Sequence, residues 1–180
     1  ARRRDPRRAL HEHRRRREHD EQRDGGEHGA NEARYISLFT TVITFAVSLL
    51  LWVGFDADSA KFQFVEKAEW FKDLGISYHL GIDGISLFMV LLTTFLMPFC
   101  ILCSWQSITT RVRAFMVSFL LLEAFVIGVF SVLDTVMFYI FFEGMLIPMY
   151  LIIGIWGGNR RIYASYKFFL YTLAGSVLFL

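Results

Sequence analysis

From Tyr35 onward, the chain consists of long apolar runs separated by short polar segments. A helix of about 20 residues rises about 30 Å, which matches the hydrocarbon thickness of a bilayer. The runs are much longer than the roughly 10 residues of a membrane-spanning strand. The sequence therefore predicts an all-α fold, a polytopic transmembrane helix bundle. Five spans are expected, the last of them incomplete: about 35–55, 85–105, 114–132, 136–155 and 164–180.

The start of the chain has a different composition. Residues 1–34 hold eleven of the nineteen lysine and arginine residues and four of the five histidines. Because such a segment has no apolar face to bury, residues 1–33 are predicted to be disordered, ahead of a transmembrane helical domain at 34–180. The net charge of +2 follows largely from this segment and does not indicate nucleic-acid binding. Contact of the segment with anionic lipid of the bilayer is expected.

Charged residues in the connections alternate in sign along the chain. The segment that ends at Arg34 is basic, the connection 56–84 is mainly acidic, and the later connections carry Arg111 and Arg113, then Asp134, then Arg160 and Arg161. The positive-inside rule places the basic connections in the cytoplasm, or in the matrix of an organelle. The aromatic residues of the long connection predict a short amphipathic segment at the interface: Phe62, Phe64, Trp70 and Phe71.

Two carboxylates fall within predicted spans, Glu143 in the fourth and Glu123 in the third. A carboxylate at the bilayer centre costs roughly 2.5–3.5 kcal/mol on insertion scales, so such residues usually face a protein interior or a water path. The two spans are antiparallel and joined by a short connection, which predicts similar depths for the two residues. Close carboxylates in a low dielectric favour a retained proton, as a proton relay requires. The alternative for each is a structural hydrogen bond.

Gly144 and Pro148 follow Glu143 within one helical turn or so. Proline cannot donate a hydrogen bond to the carbonyl group of Gly144, and its ring crowds that group. These two residues therefore predict a helix break beside the relay, with room for water or a polar partner. Gly144 also permits the close approach of another helix.

Three other polar residues are candidates for function. Lys167 lies near the basic end of the last span, where it would either snorkel to the interface or supply a cation to the carboxylates. Asp83 would cap the following helix together with Ser86, or join His79 in admitting ions from the acidic side. Cys100 and Cys103 lie in an apolar run, where two small, inert residues are favoured over a metal site.

Several runs together resemble the M-type (chain 4) membrane subunit of respiratory complex I. The resemblance covers about Ala33 to Leu180. It rests on these runs: His79-Leu-Gly-Ile-Asp-Gly-Ile-Ser-Leu-Phe88, Leu121-Leu-Glu-Ala-Phe125, Phe141-Phe-Glu-Gly-Met-Leu-Ile-Pro-Met149, Gly154-Ile-Trp-Gly-Gly158 and Tyr166-Lys-Phe-Phe-Leu-Tyr-Thr-Leu-Ala-Gly-Ser176. The arginine-rich residues 1–32 stand where that family has an apolar first helix.

The resemblance implies a proton-translocating subunit of NADH:quinone oxidoreductase, in which Glu143 is the main relay carboxylate. Its lysine partner would lie on a later helix, so the chain is expected to be an N-terminal fragment. NADH, FMN, iron–sulfur clusters and quinone would be bound by or with other subunits, and this chain would bind no cofactor or metal.

Other membrane subunits of the complex and the lipid bilayer are the expected partners. The expected location is the bacterial inner membrane or the mitochondrial inner membrane. Two alternatives stay open: a subunit of an Mrp-type cation/proton antiporter, which shares the broad pattern, and a purely structural membrane subunit.

Overall fold

The computed structural model describes residues 6–56, 61–71 and 76–179 of the chain. The elements in chain order are α1 (Pro6–Val53), β1 (Gln63–Phe71), β2 (Ile76–Ile82), α2 (Gly84–Ser107), α3 (Val112–Ser131), α4 (Thr135–Trp156) and α5 (Arg161–Phe179). Four described helical segments are long and apolar enough to cross a membrane: Gly29–Val53, Gly84–Ser107, Val112–Ser131 and Thr135–Trp156. These segments and α5 coincide with the five predicted spans, which confirms the predicted helix bundle. Leu180, the end of the fifth predicted span, lies outside the described residues.

The N-terminal segment differs from the prediction of disorder over residues 1–33. In the structure α1 begins at Pro6 and continues without interruption into the first span, while residues 1–5 lie outside the described residues. Arginine and glutamate, which dominate this segment, have long unbranched side chains with favourable helix propensity. Proline is also well suited to the first position of a helix, because the N–H it lacks would have no intrahelical partner there.

The connection between α1 and α2 forms a β-hairpin, where the sequence had predicted an amphipathic segment. Strands β1 and β2 pair antiparallel, with Lys67 opposite His79. The backbone N–H of Leu133 donates to the carbonyl oxygen of His79 at 2.9 Å, and Leu80 forms an isolated bridge with Val132. The hairpin is therefore attached to the turn between α3 and α4. Ile76, Tyr78, Leu80 and Ile82 recur at every second position, the period of a strand.

Helices α1, α2 and α3 pack around one buried cluster. Its members are Ile101 from α2 and Val112, Phe115 and Met116 from α3, with partly buried neighbours that include Leu38 from α1. Antiparallel packing of α1 against α2 is also visible in the Tyr35–Trp105 ring pair, whose centroids are 5.1 Å apart. These three helices bury polar side chains as well as apolar ones: Ser37, Thr41, Ser48, Thr94, Ser118 and Glu123.

Helix α4 packs on α3 through two glycines, and its Ile152 and Trp156 also contact the buried cluster. A Cβ atom on Gly144 would lie 2.6 Å from Phe125, and one on Gly128 would lie 2.5 Å from Phe141. A side chain at either glycine would push the helices apart. Helix α5 then packs on α4, where the rings of Tyr150 and Tyr166 meet edge to face at 5.8 Å.

Candidate functional site

The carboxyl group of Glu143 contacts α5 within the membrane-spanning region. Its Oε1 atom is hydrogen-bonded to the hydroxyl group of Ser176, and this contact joins α4 to α5. Glu143 is half-buried, whereas Ser176 is buried. The sequence had singled out Glu143 but not this partner. Ser165, Thr172 and Ser176 recur on one face of α5, and this row of hydroxyl groups is the sequence signal that points to Ser176.

The Ser176 hydroxyl has two oxygen atoms within reach. Besides Glu143, its Oγ lies 2.9 Å from the carbonyl oxygen of Leu173. A serine hydroxyl has one hydrogen to donate and lone pairs that accept. When Glu143 is ionised, Ser176 donates to the carboxylate; when Glu143 is protonated, the acid donates to Ser176, which in turn donates to Leu173. Both protonation states of Glu143 thus keep a full set of hydrogen bonds at this contact.

A cleft of about 380 Å³ opens beside this contact, between α4 and α5. Its α4 wall is aromatic and its α5 wall consists of small and hydroxyl-bearing residues: Phe138, Tyr139 and Phe142 on α4, and Thr172, Gly175 and Ser176 on α5. A second depression at the turn between α3 and α4 is lined by Asp134 and Phe138, among others. Phe138 therefore stands between the surface beside Asp134 and the Glu143–Ser176 contact.

Glu123 is buried in a different environment. Its side chain is 3% exposed, and its Oε1 atom is buried without a hydrogen-bond partner. Along α3 it lies seven residues after Met116, on the face of the buried cluster, which α2 shares and which α1 and α4 also contact. Gly144 of α4 meets α3 at Phe125, which points about 200° away from Glu123.

The two glutamates lie at similar depth but have different surroundings. Phe125 lies against Gly144 and Gly128 against Phe141, which sets Glu143 within about one turn of the level of Glu123. Glu143 bonds to Ser176 on α5, whereas the Oε1 atom of Glu123 is buried without a hydrogen-bond partner. No hydrogen bond among the described residues joins the two carboxylates, and their close proximity stays a prediction.

The predicted helix break at Gly144 and Pro148 is wrong. Helix α4 is continuous from Thr135 to Trp156 and includes Pro148. Membrane helices tolerate proline because only a local hydrogen bond is lost and neighbours re-satisfy the backbone. Gly144 serves packing in this structure, since its missing side chain leaves the space that Phe125 occupies.

Lys167 is exposed and its ammonium group lies 5.9 Å from the ring centroids of both Tyr163 and Tyr171. These cation–π contacts are formed within α5. Lys167 and Ser176 are nine residues apart, which places them about 13 Å apart along α5 and on opposite sides of it. The structure therefore does not bring Lys167 to the Glu143 contact.

Asp83 caps α2: its carboxylate accepts a hydrogen bond from the backbone N–H of Ser86 at 2.7 Å. This bond holds the pKa of the Asp83 carboxyl below its usual value of 3.8. His79 lies on β2, and its carbonyl oxygen fastens the hairpin to the α3–α4 turn. Both residues thus have structural contacts at the acidic end of the bundle.

Comparison with known proteins gives a family match for the segment that contains the Glu143–Ser176 contact. Residues 132–180, which include Glu143 and Ser176, match the family described as NADH:quinone oxidoreductase/Mrp antiporter, TM. NADH-quinone oxidoreductase subunit M of Rhodobacter capsulatus is 55% identical over 158 residues, covering 88% of this chain and 30% of the relative. The chain belongs to the M-type (chain 4) subunit family.

Further members of the M-type family come from plants and other bacteria. NADH-ubiquinone oxidoreductase chain 4 of Arabidopsis thaliana is 51% identical over 148 residues, which is 82% of this chain and 30% of the relative. NADH-quinone oxidoreductase subunit M of Rickettsia typhi is 46% identical over 145 residues, which is 81% of this chain and 29% of the relative. The chain thus spans about 30% of the length of these curated relatives. It is a multi-pass membrane protein, as the sequence predicted.

Proposed function

We propose that this chain is part of a proton-translocating membrane subunit of NADH:quinone oxidoreductase, with Glu143 as a carrier of the proton. The observation that carries the proposal is the position of the Ser176 hydroxyl between Glu143 and the carbonyl oxygen of Leu173. A relay carboxyl must gain and lose a proton without leaving a buried polar group unpaired. An unpaired buried donor or acceptor costs about 1–3 kcal/mol. The Ser176 contact supplies a hydrogen bond in both states.

Electron transfer elsewhere in the complex would change the protonation or hydration of Glu143 and move protons from the basic side to the acidic side. The cleft beside Ser176 and the depression at Asp134 lie toward the acidic side of that route.

NADH, FMN, iron–sulfur clusters and quinone would be bound by or with other subunits. Other membrane subunits of the complex and the bilayer would be the partners of this chain. Glu123 and Lys167 contact neither Glu143 nor Ser176 in the described residues and would be secondary to Glu143.

The test is the Glu143→Gln substitution in the complete complex, reconstituted in proteoliposomes. NADH oxidation and proton uptake are measured together, and assembly is checked separately. We expect the complex to assemble and NADH-driven proton translocation to fall strongly, because glutamine keeps the shape and cannot carry the proton. Glu66→Gln, the same change at an exposed hairpin residue, is the control and should pump as the wild type does.

Full proton translocation by Glu143→Gln would contradict the relay role. Loss of assembly without a separate pumping defect would favour a structural role for Glu143. The second candidate function, an Mrp-type antiporter subunit, is favoured by the matched family, whose description names both classes. Sodium-dependent proton exchange without NADH-linked activity would support that candidate and contradict the first.

A further inference from the structure

A second polar centre lies between α1, α2 and α3, away from the Glu143 contact. The hydroxyl groups of Ser48 on α1 and Thr94 on α2 are hydrogen-bonded at 2.8 Å, and both residues are buried, at 3% and 0% exposure. Two hydroxyls on facing helices permit close approach and fasten the helices in an apolar interface. The proton-relay proposal makes no use of this pair.

Glu123 lies at the level of this pair. Met116 and Ile101 belong to the same buried cluster, which fixes the register of α3 against α2. The two helices are antiparallel, so seven residues forward from Met116 and seven back from Ile101 lead to the same depth. Those positions are Glu123 and Thr94, and both are on the buried face of their helix.

Nothing in the neighbouring sequence would neutralise an ionised Glu123. Residues 35–53 of α1 and all of α2 contain no charged residue. Arg113, the only cation of α3, is ten residues away, about 15 Å along the helix, and its Nε donates to the carbonyl oxygen of Gly29. A buried charge without a partner is far more costly than a neutral acid, so the carboxyl keeps its proton.

The hydroxyl pair can accept the hydrogen bond that such a group needs. Ser48 donates to the carbonyl oxygen of Phe45 at 2.7 Å, and Thr94 lies 3.0 Å from that of Val90. The two hydroxyls have one hydrogen each, so lone pairs of Thr94 Oγ1 stay free to accept. The Oε1 atom of Glu123 is buried without a hydrogen-bond partner, and buried water typically links such polar groups with about three hydrogen bonds.

We propose that Glu123 is held as a neutral acid that one buried water molecule links to the Thr94–Ser48 pair, forming a water-binding centre separate from Glu143. The carboxyl O–H donates to the water, and the water donates to Thr94 Oγ1. The centre joins all three helices of this part of the bundle. This inference stands independently of the function proposed for Glu143.

The test uses the complete complex and substitutions at adjacent threonines. Thr94→Val removes one hydroxyl and keeps the shape, while Thr93→Val makes the same change at a residue that only donates to its own helix, at Met89. An electron cryomicroscopy map that resolves water should have a density between Glu123 and Thr94 in the wild type. The density should be lost in Thr94→Val and retained in Thr93→Val.

Infrared spectroscopy tests the protonation independently. A carbonyl-stretch band of a protonated carboxylic acid should disappear in Glu123→Gln and shift in frequency in Thr94→Val, with Ser48→Ala as a second variant that should also shift it. If no band of the wild type disappears in Glu123→Gln, the proposal is overturned. It is also overturned if the water density and the band assigned to Glu123 are unchanged in Thr94→Val. Proton translocation by Glu143→Gln is measured separately, so failure of either proposal is recognised without the other.

Discussion

Ser176 is the residue on which the protonation chemistry of Glu143 depends most directly. Its hydroxyl is the described hydrogen-bond partner of the carboxyl group. Hydrogen bonds to charged groups contribute roughly 1.5–3 kcal/mol, and 1.4 kcal/mol corresponds to about a tenfold change in an equilibrium constant. Ser176→Ala in the complete complex should therefore lower the rate of NADH-driven proton translocation by about tenfold while assembly is retained.

Ser165→Ala is the matched control for that measurement. Ser165 lies on the same helix, is also buried, and donates to the carbonyl oxygen of Ile162 at 2.9 Å, beside the hydroxyl group of Tyr150 and away from Glu143. Its substitution should leave the translocation rate near that of the wild type. Equal rates in Ser176→Ala and the wild type would mean that Glu143 does not use this hydroxyl.

At the scale of single residues, the sequence shows which side chains are costly to place in a membrane but not which helix face each one occupies. Glu143 and Glu123 stand out because each is an expensive residue in an apolar run, and both have distinctive contacts or burial in the structure. Which face each one occupies depends on the rotation of α3 and on contacts such as Phe125 against Gly144. Such long-range packing has no local signal, so the different surroundings of the two carboxylates were not predicted.

Among the helices, the contact between α3 and α4 positions Glu143. A Cβ atom on Gly144 would meet Phe125 at 2.6 Å, and overpacking of a tight contact costs about 1–3 kcal/mol. Gly144→Ala should therefore lower the thermal stability of the purified full-length subunit or complex. Gly175→Ala is the control, because a Cβ atom there meets nothing within 4 Å. An equal loss of thermal stability in the two variants would mean that the Gly144–Phe125 contact is not the cause.

The cap of α2 should give that helix a pH-dependent contribution to stability. The hydrogen bond from Ser86 holds the pKa of Asp83 below 3.8 in the folded protein. A depressed pKa means that the stabilisation is present above the unfolded value and is lost as the pH falls through the lower, folded value. Asp83→Ala should cost about 1 kcal/mol at neutral pH.

Thermal unfolding of the full-length subunit in detergent, at neutral pH and again below pH 3.8, measures this effect. The difference between the wild type and Asp83→Ala should shrink as the pH falls. Asp83→Asn retains a neutral capping side chain and should lose less stability than Asp83→Ala at neutral pH. A difference between the wild type and Asp83→Ala that does not change with pH would exclude the ionised cap.

Helices were predictable where the length of an apolar run determines them. The hairpin and the N-terminal part of α1, which no apolar run determines, were not predicted. Apolar runs predict α2 to α5 because only helices of that length satisfy their backbone in lipid. The hairpin depends on pairing between β1 and β2. The alternation in residues 76–82 predicts a strand, but the aromatic and charged residues at 62–71 favour an amphipathic segment. The helix in the arginine-rich segment follows residue propensity, which composition-based reasoning about disorder ignores.

In the whole molecule, α3 is the shared element between two polar centres. Its buried cluster packs with α1 and α2, and its Phe125 and Gly128 pack with α4, which carries Glu143 toward α5. The two ends of the bundle also differ. Trp105, Trp156 and the arginines of the connections lie at one end, where Trp156 donates to the carbonyl oxygen of Thr110 at 2.7 Å; the hairpin and Asp134 lie at the other.

This asymmetry predicts the orientation of the chain in the membrane, with the arginine-rich end in the cytoplasm and the hairpin outside. Labelling of single cysteines by a membrane-impermeant maleimide tests it in the full-length subunit, after Cys100→Ser and Cys103→Ser remove the native thiols. Lys67→Cys, at an exposed hairpin position, should react in intact cells. Asn159→Cys, exposed between α4 and α5, should react only after the membrane is permeabilised. The reverse pattern would invert the assigned direction of proton movement, because Asp134 and the adjoining depression would then face the cytoplasm.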